Sequence, residues 1–276
     1  VPFGNRIKRI TNSLLPQTGL DWKYSPPATL HDRMIHYHNP GVSVAVINDF
    51  EIEWARGFGV CDSRYKRKVK TDTLFQAGSI SKPIFALGVM RLVQEGRLNL
   101  DEDVDRYLET WHIPVNEGWR PKITLRHLLS HTAGLTVHGF PGYQVSEPLP
   151  STTQVLDGES PANTAMVEVN ILPGLQSRYS GGGMTVAQQV LVDLLKKPFP
   201  QIMREMVGTE IDITNIRSVL KMIRDRIPIE EAQEFLIPGG AVLDEKRLHQ
   251  LIKAGTIRDA MKQLAGTPYE FLGQVP

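Results

Sequence analysis

Apolar and β-branched residues alternate or run together between Gly41 and Val60, on both sides of the pair Asn48 and Asp49. Two β-rich segments around a turn-favouring pair are typical of a β-hairpin, so we expect two antiparallel strands here. A short helix is expected just before them, around Leu30 to Tyr37. Residues 1–27 mix charge with proline, which predicts a helix followed by an irregular entry segment.

Helical spacing of apolar residues returns further along the chain. It predicts a helix from Ile80 to Glu95 that ends at Gly96, and the segment ITLRHLLSHTAGL predicts another that ends at Gly134. The segment MTVAQQVLVDLL predicts a third. Residues 136–174 are rich in Pro, Gly, Ser and Thr without a sustained period, which is typical of a long loop over the surface or at the mouth of a cleft.

After residue 208 the pattern is helical to the end. One apolar stripe consists of Ile213, Ile216, Leu220, Ile223 and Ile227. The segment EKRLHQLIKAGTIRDAMKQL contains two more short amphipathic pieces. The plain interpretation is a helical C-terminal region.

Composition excludes several classes of protein. The 276 residues are 41% hydrophobic and 22% charged, which is typical of a soluble globular protein of one or two domains. The 31 basic and 30 acidic residues are interspersed, and their formal net charge is +1. There is no basic stripe for nucleic acid, no polybasic membrane patch and no apolar run long enough for membrane insertion. We therefore expect a small or neutral substrate.

Few residues of the chain favour a metal or a disulfide. The single cysteine, Cys61, excludes an internal disulfide and weakly favours a reducing compartment such as the cytoplasm. The chain begins at Val1 without Met, so a leader or a start could have been lost. His36 and His38 could bind a metal from an extended segment, but no third ligand lies nearby. We expect solvent-facing histidines and no metal site.

The stretch FQAGSISKP places a serine three residues before a lysine where a glycine gives way to a helix. One interpretation is helix capping, because serine is a favoured N-cap and Pro83 is tolerated in a first turn. The other is covalent catalysis. Residues at i and i+3 share a helix face, so the Lys82 amine could take the proton of the Ser79 hydroxyl. The helix N-terminus would favour the negative charge that develops.

Two further patterns carry weaker signals. Gly181 to Gly183 precede a helix and could cradle a phosphate, but no G-K-[ST] accompanies them, so neither nucleotide nor any other cofactor is expected. His131 in LLSHTAGL looks like the histidine of a catalytic triad. No G-x-S-x-G elbow supports that class of hydrolase.

Taken together and in order, FQAGSISKP, NLDEDVDRYL, ITLRHLLSHTAGL and LPGLQSRYSGGGMT resemble the serine β-lactamase-like hydrolases over about residues 5–207. This group contains penicillin-binding proteins, D-aminopeptidases and β-lactamase-fold esterases. The resemblance implies an α+β fold, with an antiparallel sheet flanked by helices plus a helical subdomain. It also implies that Ser79 is acylated, Lys82 activates it, and Tyr179 of the Y-x-N motif assists proton transfer. The resemblance assigns LLSHTAGL to structure, and it therefore implies that His131 is a helix-end residue that hydrogen-bonds locally. The substrate would be an ester, an amide or peptide, or a β-lactam.

The sequence departs from the family pattern in two places. Gly181 stands where many relatives have the asparagine of Y-x-N, and we expect Gly181 and Gly182 to face the substrate. The third motif, K-T-G or H-x-G on a late strand, is not recognisable, since IPGGAV lacks the preceding Lys or His. The fold is therefore expected to lack its C-terminal strands. Either the site is impaired, or a homo-oligomer or partner chain completes the sheet.

The tail has a resemblance of its own. The segments EIDITNIRSVLK, EFLIPGG and AGTPYEFLG are similar to part of the central-stalk C (or d) subunit of archaeal and vacuolar-type rotary ATPases, over about residues 209–276. That resemblance implies an all-helical scaffold without catalytic residues. We therefore expect a chimeric chain, with a hydrolase region at 1–208 and a helical region at 209–276. The main hypothesis is a serine hydrolase, and the alternative is a non-catalytic coupling subunit of a rotary ATPase.

Overall fold

The computed structural model describes residues 3–15, 27–49, 51–116, 118–233 and 236–274. The chain folds into two compact units, Val1–Ala77 and Gly78–Pro276. It combines helices with a small antiparallel sheet, which confirms the predicted α+β class.

The first unit contains the predicted hairpin, which is confirmed. β1 (Gly41–Asn48) and β2 (Glu51–Asp62) pair antiparallel, and Asn48 lies opposite Glu51. β3 (Arg67–Lys68) pairs with the other side of β2, so the strand order is β1-β2-β3. The hairpin forms because β-branched and aromatic residues flank a turn-favouring pair.

Two helices precede the hairpin in the chain. α1 spans Phe3–Thr11, and α2 spans Leu30–His36 close to its predicted bounds. α2 begins at a capping box, in which Thr29 and Asp32 each accept a hydrogen bond from the backbone N–H of the other. Much of the irregular entry segment predicted from the sequence lies outside the described residues.

One edge of the sheet is open in the described part of the chain. β1 pairs only with β2, and beyond Lys68 the described residues form isolated bridges but no further strand. This agrees with the expectation that the C-terminal strands are missing. An open edge presents backbone N–H and C=O groups that can accept another strand. A partner chain that completes the sheet stays a prediction.

The second unit begins with a 3₁₀ turn at Gly78–Ile80 and continues with helices joined by loops. Its helices are α3 (Ser81–Gln94), α4 (Leu125–Leu129), α5 (Thr152–Asp157), α6 (Gly181–Leu195), α7 (Phe199–Asp225), α8 (Ile229–Gln233), α9 (Glu245–Lys253) and α10 (Ile257–Lys262). Further 3₁₀ turns lie at Val104–Arg106 and Glu270–Gln274. Apolar residues of α3, α4, α6 and the start of α7 form one buried cluster. The long loop predicted over 136–174 is confirmed, except that it contains α5.

The helix predicted to end at Gly134 is shorter than expected. α4 ends at Leu129, and His131 and Gly134 have positive φ angles of 57° and 68°. The His131 N–H donates to the Leu128 carbonyl and the Thr132 N–H donates to the His127 carbonyl, which is the hydrogen-bond pair of a Schellman motif. The left-handed conformation of His131 therefore ends the helix before Gly134.

α7 runs without a break across the predicted boundary between residues 208 and 209. Downstream, Ile216 and Val219 of α7 join a second buried cluster with α9 and α10, whereas Ile213 of the predicted stripe is partly exposed. The division of the chain at 208/209 stays a prediction. No helix in the described ranges has both the length and the apolar character needed to cross a membrane.

The first turn of α6 offers a test of this packing. A Cβ atom added at Gly182 would lie 2.8 Å from Val167 Cγ2 and 2.9 Å from the Thr136 carbonyl oxygen, whereas one at Gly183 makes ordinary contacts at 3.4 Å or more. We predict that Gly182→Ala lowers the free energy of unfolding by about 1–3 kcal/mol. Gly183→Ala, measured in the same urea titration, should be neutral or slightly stabilising because alanine favours helix. Equal effects of the two changes would contradict this packing.

Candidate active site

Ser79 lies in the 3₁₀ turn that leads into α3, as its position before the predicted helix indicated. The N-cap of α3 is Ile80, and no side chain caps this helix end by a hydrogen bond. The capping interpretation of Ser79 is therefore wrong, because its hydroxyl bonds elsewhere. Gly78 enters the turn with a φ of 52°, a backbone conformation that glycine adopts without strain.

The Ser79 hydroxyl is bonded to two other functional groups. Lys82 Nζ donates a hydrogen bond to Ser79 Oγ at 2.9 Å, and the Tyr179 hydroxyl lies 2.8 Å from the same oxygen. Lys82 reaches it because residues three apart share a face of the turn. Tyr179 comes from a position 100 residues away in the chain. The structure thus brings together all three residues named from the sequence as catalytic candidates.

Tyr179 is held in place by the start of α6. The next residue, Ser180, is buried and is the N-cap of α6, where its Oγ accepts a hydrogen bond from the Gly183 N–H at 2.8 Å. The same hydroxyl donates to the Thr136 carbonyl oxygen at 2.7 Å. Ser180 therefore fixes both the helix start and the loop beside it, and the adjacent Tyr179 side chain is directed towards Ser79.

Lys82 lowers the pKa of the Tyr179 phenol. The hydrogen bond from Lys82, followed by the one with Ser79, holds the pKa of the Tyr179 phenol below its ordinary value. Lys82 Nζ also lies 5.0 Å from the centroid of the Tyr179 ring. A phenol with a lowered pKa releases its proton more readily, so Tyr179 can exchange a proton with its neighbours.

Two histidines pack against the Tyr179 ring. The ring centroids of His131 and His138 lie 4.4 Å and 5.0 Å from that of Tyr179. Nδ1 of His131 accepts a hydrogen bond from the Ser180 N–H at 3.3 Å, 49 residues away in the chain. The backbone N–H of His131 donates to the Leu128 carbonyl at 3.2 Å, so His131 is the helix-end residue that was expected, and its ring adds a tertiary bond that was not expected. His138 gave no recognisable signal in the sequence, whereas His131 lay in a motif that was assigned to structure.

The two glycines expected to face the substrate lie in different surroundings. Gly181 lines the cleft next to Tyr179, where it offers backbone but no side chain. Gly182 packs against Val167 and the Thr136 carbonyl and is not among the residues that line the cleft. Backbone N–H groups of both glycines donate to carbonyl groups of the 137–138 segment, at 3.0 Å each. A role of Gly182 in substrate binding stays a prediction.

Ser79, Lys82 and Tyr179 open onto a cleft of about 820 Å³. Helices α3, α6 and α7 and the 138–140 loop form its walls. All of these elements belong to the second unit. The volume is in the range of small-molecule sites, which is about 300–1,000 Å³.

The weaker candidates lie away from this cleft. His36 and His38 are exposed residues of the first unit, and Cys61 is an exposed free thiol. Among the described residues, no group of three or more His, Cys, Asp or Glu side chains is arranged to hold a metal ion. The cleft is thus the part of the described structure where reactive groups converge.

Comparison with known proteins identifies the family of the chain. A family model described as beta-lactamase matches residues 27–219, which is more than half of the chain. The chain belongs to the beta-lactamase family. The esterase EstB of Burkholderia gladioli is 41% identical over 95 residues, and a penicillin-binding protein of Bacillus subtilis is 35% identical over 107. These alignments cover 34% and 39% of this chain but only 24% and 22% of the relatives, so the chain spans about a quarter of their length.

Solved structures show the same fold. EstCE1, described as a hydrolase with promiscuous acyltransferase activity, aligns with a TM-score of 0.51 and 29% identity, over 66% of this chain and 49% of its own. A D-amino acid amidase from Ochrobactrum anthropi aligns with a TM-score of 0.52 and 23% identity, over 66% and 48%, and that likeness concerns the fold alone. The resemblance to serine β-lactamase-like hydrolases is confirmed.

A second family model matches the tail. It is described as an ATP synthase (C/AC39) subunit and covers residues 187–275, overlapping the first match over residues 187–219, which include the end of α6 and most of α7. The chimeric character predicted from the sequence is thereby confirmed, because one chain matches two unrelated families in succession. The match covers about a third of the chain and assigns no chemistry to the cleft.

The environment of His131 predicts its titration. Burial, followed by the positive charge of Lys82, lowers the pKa of His131 below its ordinary value of about 6.5. The pKa of His131 is lower in the folded protein than in the unfolded protein. At pH values between these two pKa values, the folded protein therefore binds fewer protons. The contribution of His131 to stability is therefore complete above about pH 6.5 and falls as the pH drops through the folded pKa.

An NMR titration of the histidine Cε1–H signals, with His131→Gln for assignment, measures this pKa directly. We expect His131 to titrate below pH 6.5 in the folded protein, with the same protein unfolded in urea as the comparison. A folded-state pKa of His131 at or above its unfolded value would contradict the partly buried, hydrogen-bonded ring.

Proposed function

We propose that this chain is a serine hydrolase that forms an acyl-enzyme on Ser79 with an ester, amide, peptide or β-lactam carbonyl. One observation carries the proposal: Lys82 Nζ and the Tyr179 hydroxyl lie 2.9 Å and 2.8 Å from Ser79 Oγ. These distances are within the range that proton transfer to a positioned acid or base requires. A serine hydroxyl needs such a base because it is a weak nucleophile on its own.

The first half-reaction acylates Ser79. Lys82 in its unprotonated form takes the hydroxyl proton while Ser79 Oγ forms a bond to the carbonyl carbon, and the carbonyl electrons move to oxygen. The tetrahedral species then collapses, the bond to the leaving group breaks, and the proton passes through Tyr179 to that group. Tyr179 suits this transfer because its pKa is lowered, its hydroxyl lies 2.8 Å from Ser79 Oγ, and it lines the cleft.

The second half-reaction releases the acid. A water molecule gives a proton to the Lys82 and Tyr179 pair and attacks the acyl carbonyl carbon. The ester bond to Ser79 Oγ breaks, the oxygen regains its proton, and the carboxylic acid leaves. Ser79 lies at the start of α3, where the helix dipole favours the negative charge on its oxygen.

The relatives support the class of reaction but not one substrate. Their names include an esterase, a penicillin-binding protein and a hydrolase with acyltransferase activity. The family's third motif, which supplies one donor of the oxyanion hole, is not recognisable in this sequence. Losing one such donor typically costs about 100-fold to 1,000-fold in turnover. We therefore propose slow turnover for this polypeptide alone, unless another chain supplies the strand.

The proposal is tested by intact-mass spectrometry after exposure to a fluorophosphonate or a penicillin. We expect a single adduct that maps to Ser79, is absent in Ser79→Ala and is retained in Ser81→Ala. Ser81 is the matched control because it lies two residues further on in the same junction. An adduct that persists in a folded Ser79→Ala variant, or no adduct on the folded parent protein, would sink the proposal.

Removing the phenolic hydroxyl tests the role of Tyr179. Tyr179→Phe keeps the ring between His131 and His138 but removes the group that lies 2.8 Å from Ser79 Oγ. We predict that the rate constant of Ser79 labelling falls by about 100-fold, as expected for loss of a proton carrier. Tyr143→Phe, which removes a phenol hydrogen-bonded to Asn163, is the control. Labelling rates that are equal in the two variants would contradict a role for Tyr179.

The tail supports a second candidate function. Its match to an ATP synthase C subunit and its separate buried cluster favour a scaffold role for about residues 209–276, with the hydrolase region in 1–208. A scaffold role predicts no Ser79 adduct and no dependence on Lys82 or Tyr179. The labelling experiment therefore separates the two candidates.

A further inference from the structure

We propose that the cleft beside Ser79 binds an uncharged, apolar acyl group, so that the preferred substrates are esters of medium-length alkyl or arylalkyl acids. This inference rests on the proposed function, because it names the substrate class of the same nucleophile. It concerns the walls of the cleft, whereas the proposed function concerns the groups bonded to Ser79 Oγ. The two can therefore fail separately.

The wall that continues from the nucleophile along α3 is apolar. Phe85 lies six residues after Ser79, which corresponds to about 9 Å at a helical rise of about 1.5 Å per residue. The Phe85 ring packs edge-to-face against Phe199 of α7, with ring centroids 5.7 Å apart. Met203 follows Phe199 by one helical turn and lines the same cleft. These three side chains line the cleft that Ser79 opens onto, with Phe85 4% exposed and thus mostly part of the core behind Phe199 and Met203.

The opposite sides of the cleft add apolar and uncharged polar surface. Met184 of α6 and Phe140 of the 138–140 loop line it, with Phe140 43% exposed, and Thr185 and Gln188 of α6 are its uncharged polar residues on that side. Methionine side chains adapt to the shape of an apolar partner, and phenylalanine offers flat contact area. An aromatic side chain left exposed at the mouth of a site is typical of a surface that a ligand covers.

Charge in the cleft argues against an acidic acyl group. Among the described lining residues, three have ionisable side chains that could carry a charge near the substrate: Lys82, His138 and Tyr179. Lys82 is already hydrogen-bonded to Ser79. No arginine lines the cleft in the described part of the chain. A carboxylate at the far end of an acyl chain would thus lose water against phenylalanine and methionine without gaining a cationic partner.

The volume of the cleft also favours a longer apolar acyl group. An acetyl group would occupy only the part of the 820 Å³ cleft next to Ser79 and leave the Phe199 and Met203 surfaces in contact with water. Each additional methylene that becomes buried is worth about a fourfold gain in the acylation rate. A longer alkyl chain or a phenylalkyl group buries this surface and should be preferred.

The test measures acylation of the full chain by p-nitrophenyl acetate, p-nitrophenyl hexanoate and the mono-p-nitrophenyl ester of adipic acid. In each case Ser79 Oγ forms the new ester bond, its proton passes to Lys82, and p-nitrophenolate leaves and is followed optically. The hexanoate has four more methylenes than the acetate, so we expect it to react about 250-fold faster when all four are buried. The adipate monoester, which has a chain of the same length with a terminal carboxylate, should react at least about tenfold more slowly than the hexanoate.

Met203→Gln tests whether this wall sets the preference. We expect it to lower the hexanoate-to-acetate ratio by about tenfold. Met206→Gln is the matched control, because Met206 lies on the same helix but packs against Gly88 outside the cleft, and it should keep the ratio of the parent protein. A flat ratio in the parent protein, with the Ser79 adduct present, would overturn the acyl site and leave the proposed function intact.

A binding measurement covers the case in which catalysis fails. With Ser79→Ala, calorimetric titration should show tighter binding of the hexanoate ester than of the acetate, and addition of Met203→Gln should remove the difference. If no ester forms an adduct but this difference is found, the acyl site is supported without the reaction. If the two esters bind equally, the acyl site is wrong.

Discussion

The rest of the site depends on two hydrogen bonds of the Ser79 hydroxyl, one with the Lys82 amine and one with the Tyr179 phenol. Two helix starts meet at this point. α3 places Lys82 one turn beyond the serine, and α6 begins directly after Tyr179. Because no side chain caps α3, the serine hydroxyl is free to accept a hydrogen bond from Lys82 rather than from the helix backbone. The uncapped start of α3 thus leaves the Ser79 hydroxyl available for reaction with a substrate.

The network around Ser180 makes that contact rigid. The Ser180 hydroxyl binds the first turn of α6 and the 136–137 backbone, and its N–H donates to His131. These bonds are partly or fully buried, where an unpaired polar group would cost free energy, so the network favours one arrangement. Tyr179 is positioned by the adjacent Ser180, and its ring packs against the rings of His131 and His138. The same elements form the walls of the cleft, so positioning of the reactive groups and binding of a substrate share one framework.

Local patterns predicted the parts of this structure that depend on neighbouring residues. The hairpin, α2, α3 and the nearness of Ser79 to Lys82 follow from spacing and turn-forming residues. Tyr179 lies 100 residues from Ser79, so no local pattern could place it, and only the resemblance to a family named it. The predicted extension of α4 to Gly134 failed for a local reason, because His131, and not a glycine, takes the left-handed position that ends the helix. The bond from Ser180 to His131 is a tertiary contact and, like Tyr179, had no local signal.

The account is tested most directly by the rate constant with which a fluorophosphonate labels Ser79 in Lys82→Met, compared with the parent protein at neutral pH. Methionine preserves much of the side-chain length and packing but removes the amine that lies 2.9 Å from Ser79 Oγ. We expect the rate constant to fall by about 100-fold to 10,000-fold, with the folded structure retained by circular dichroism. An unchanged rate constant in a folded variant would show that Lys82 does not activate Ser79 and would contradict the account.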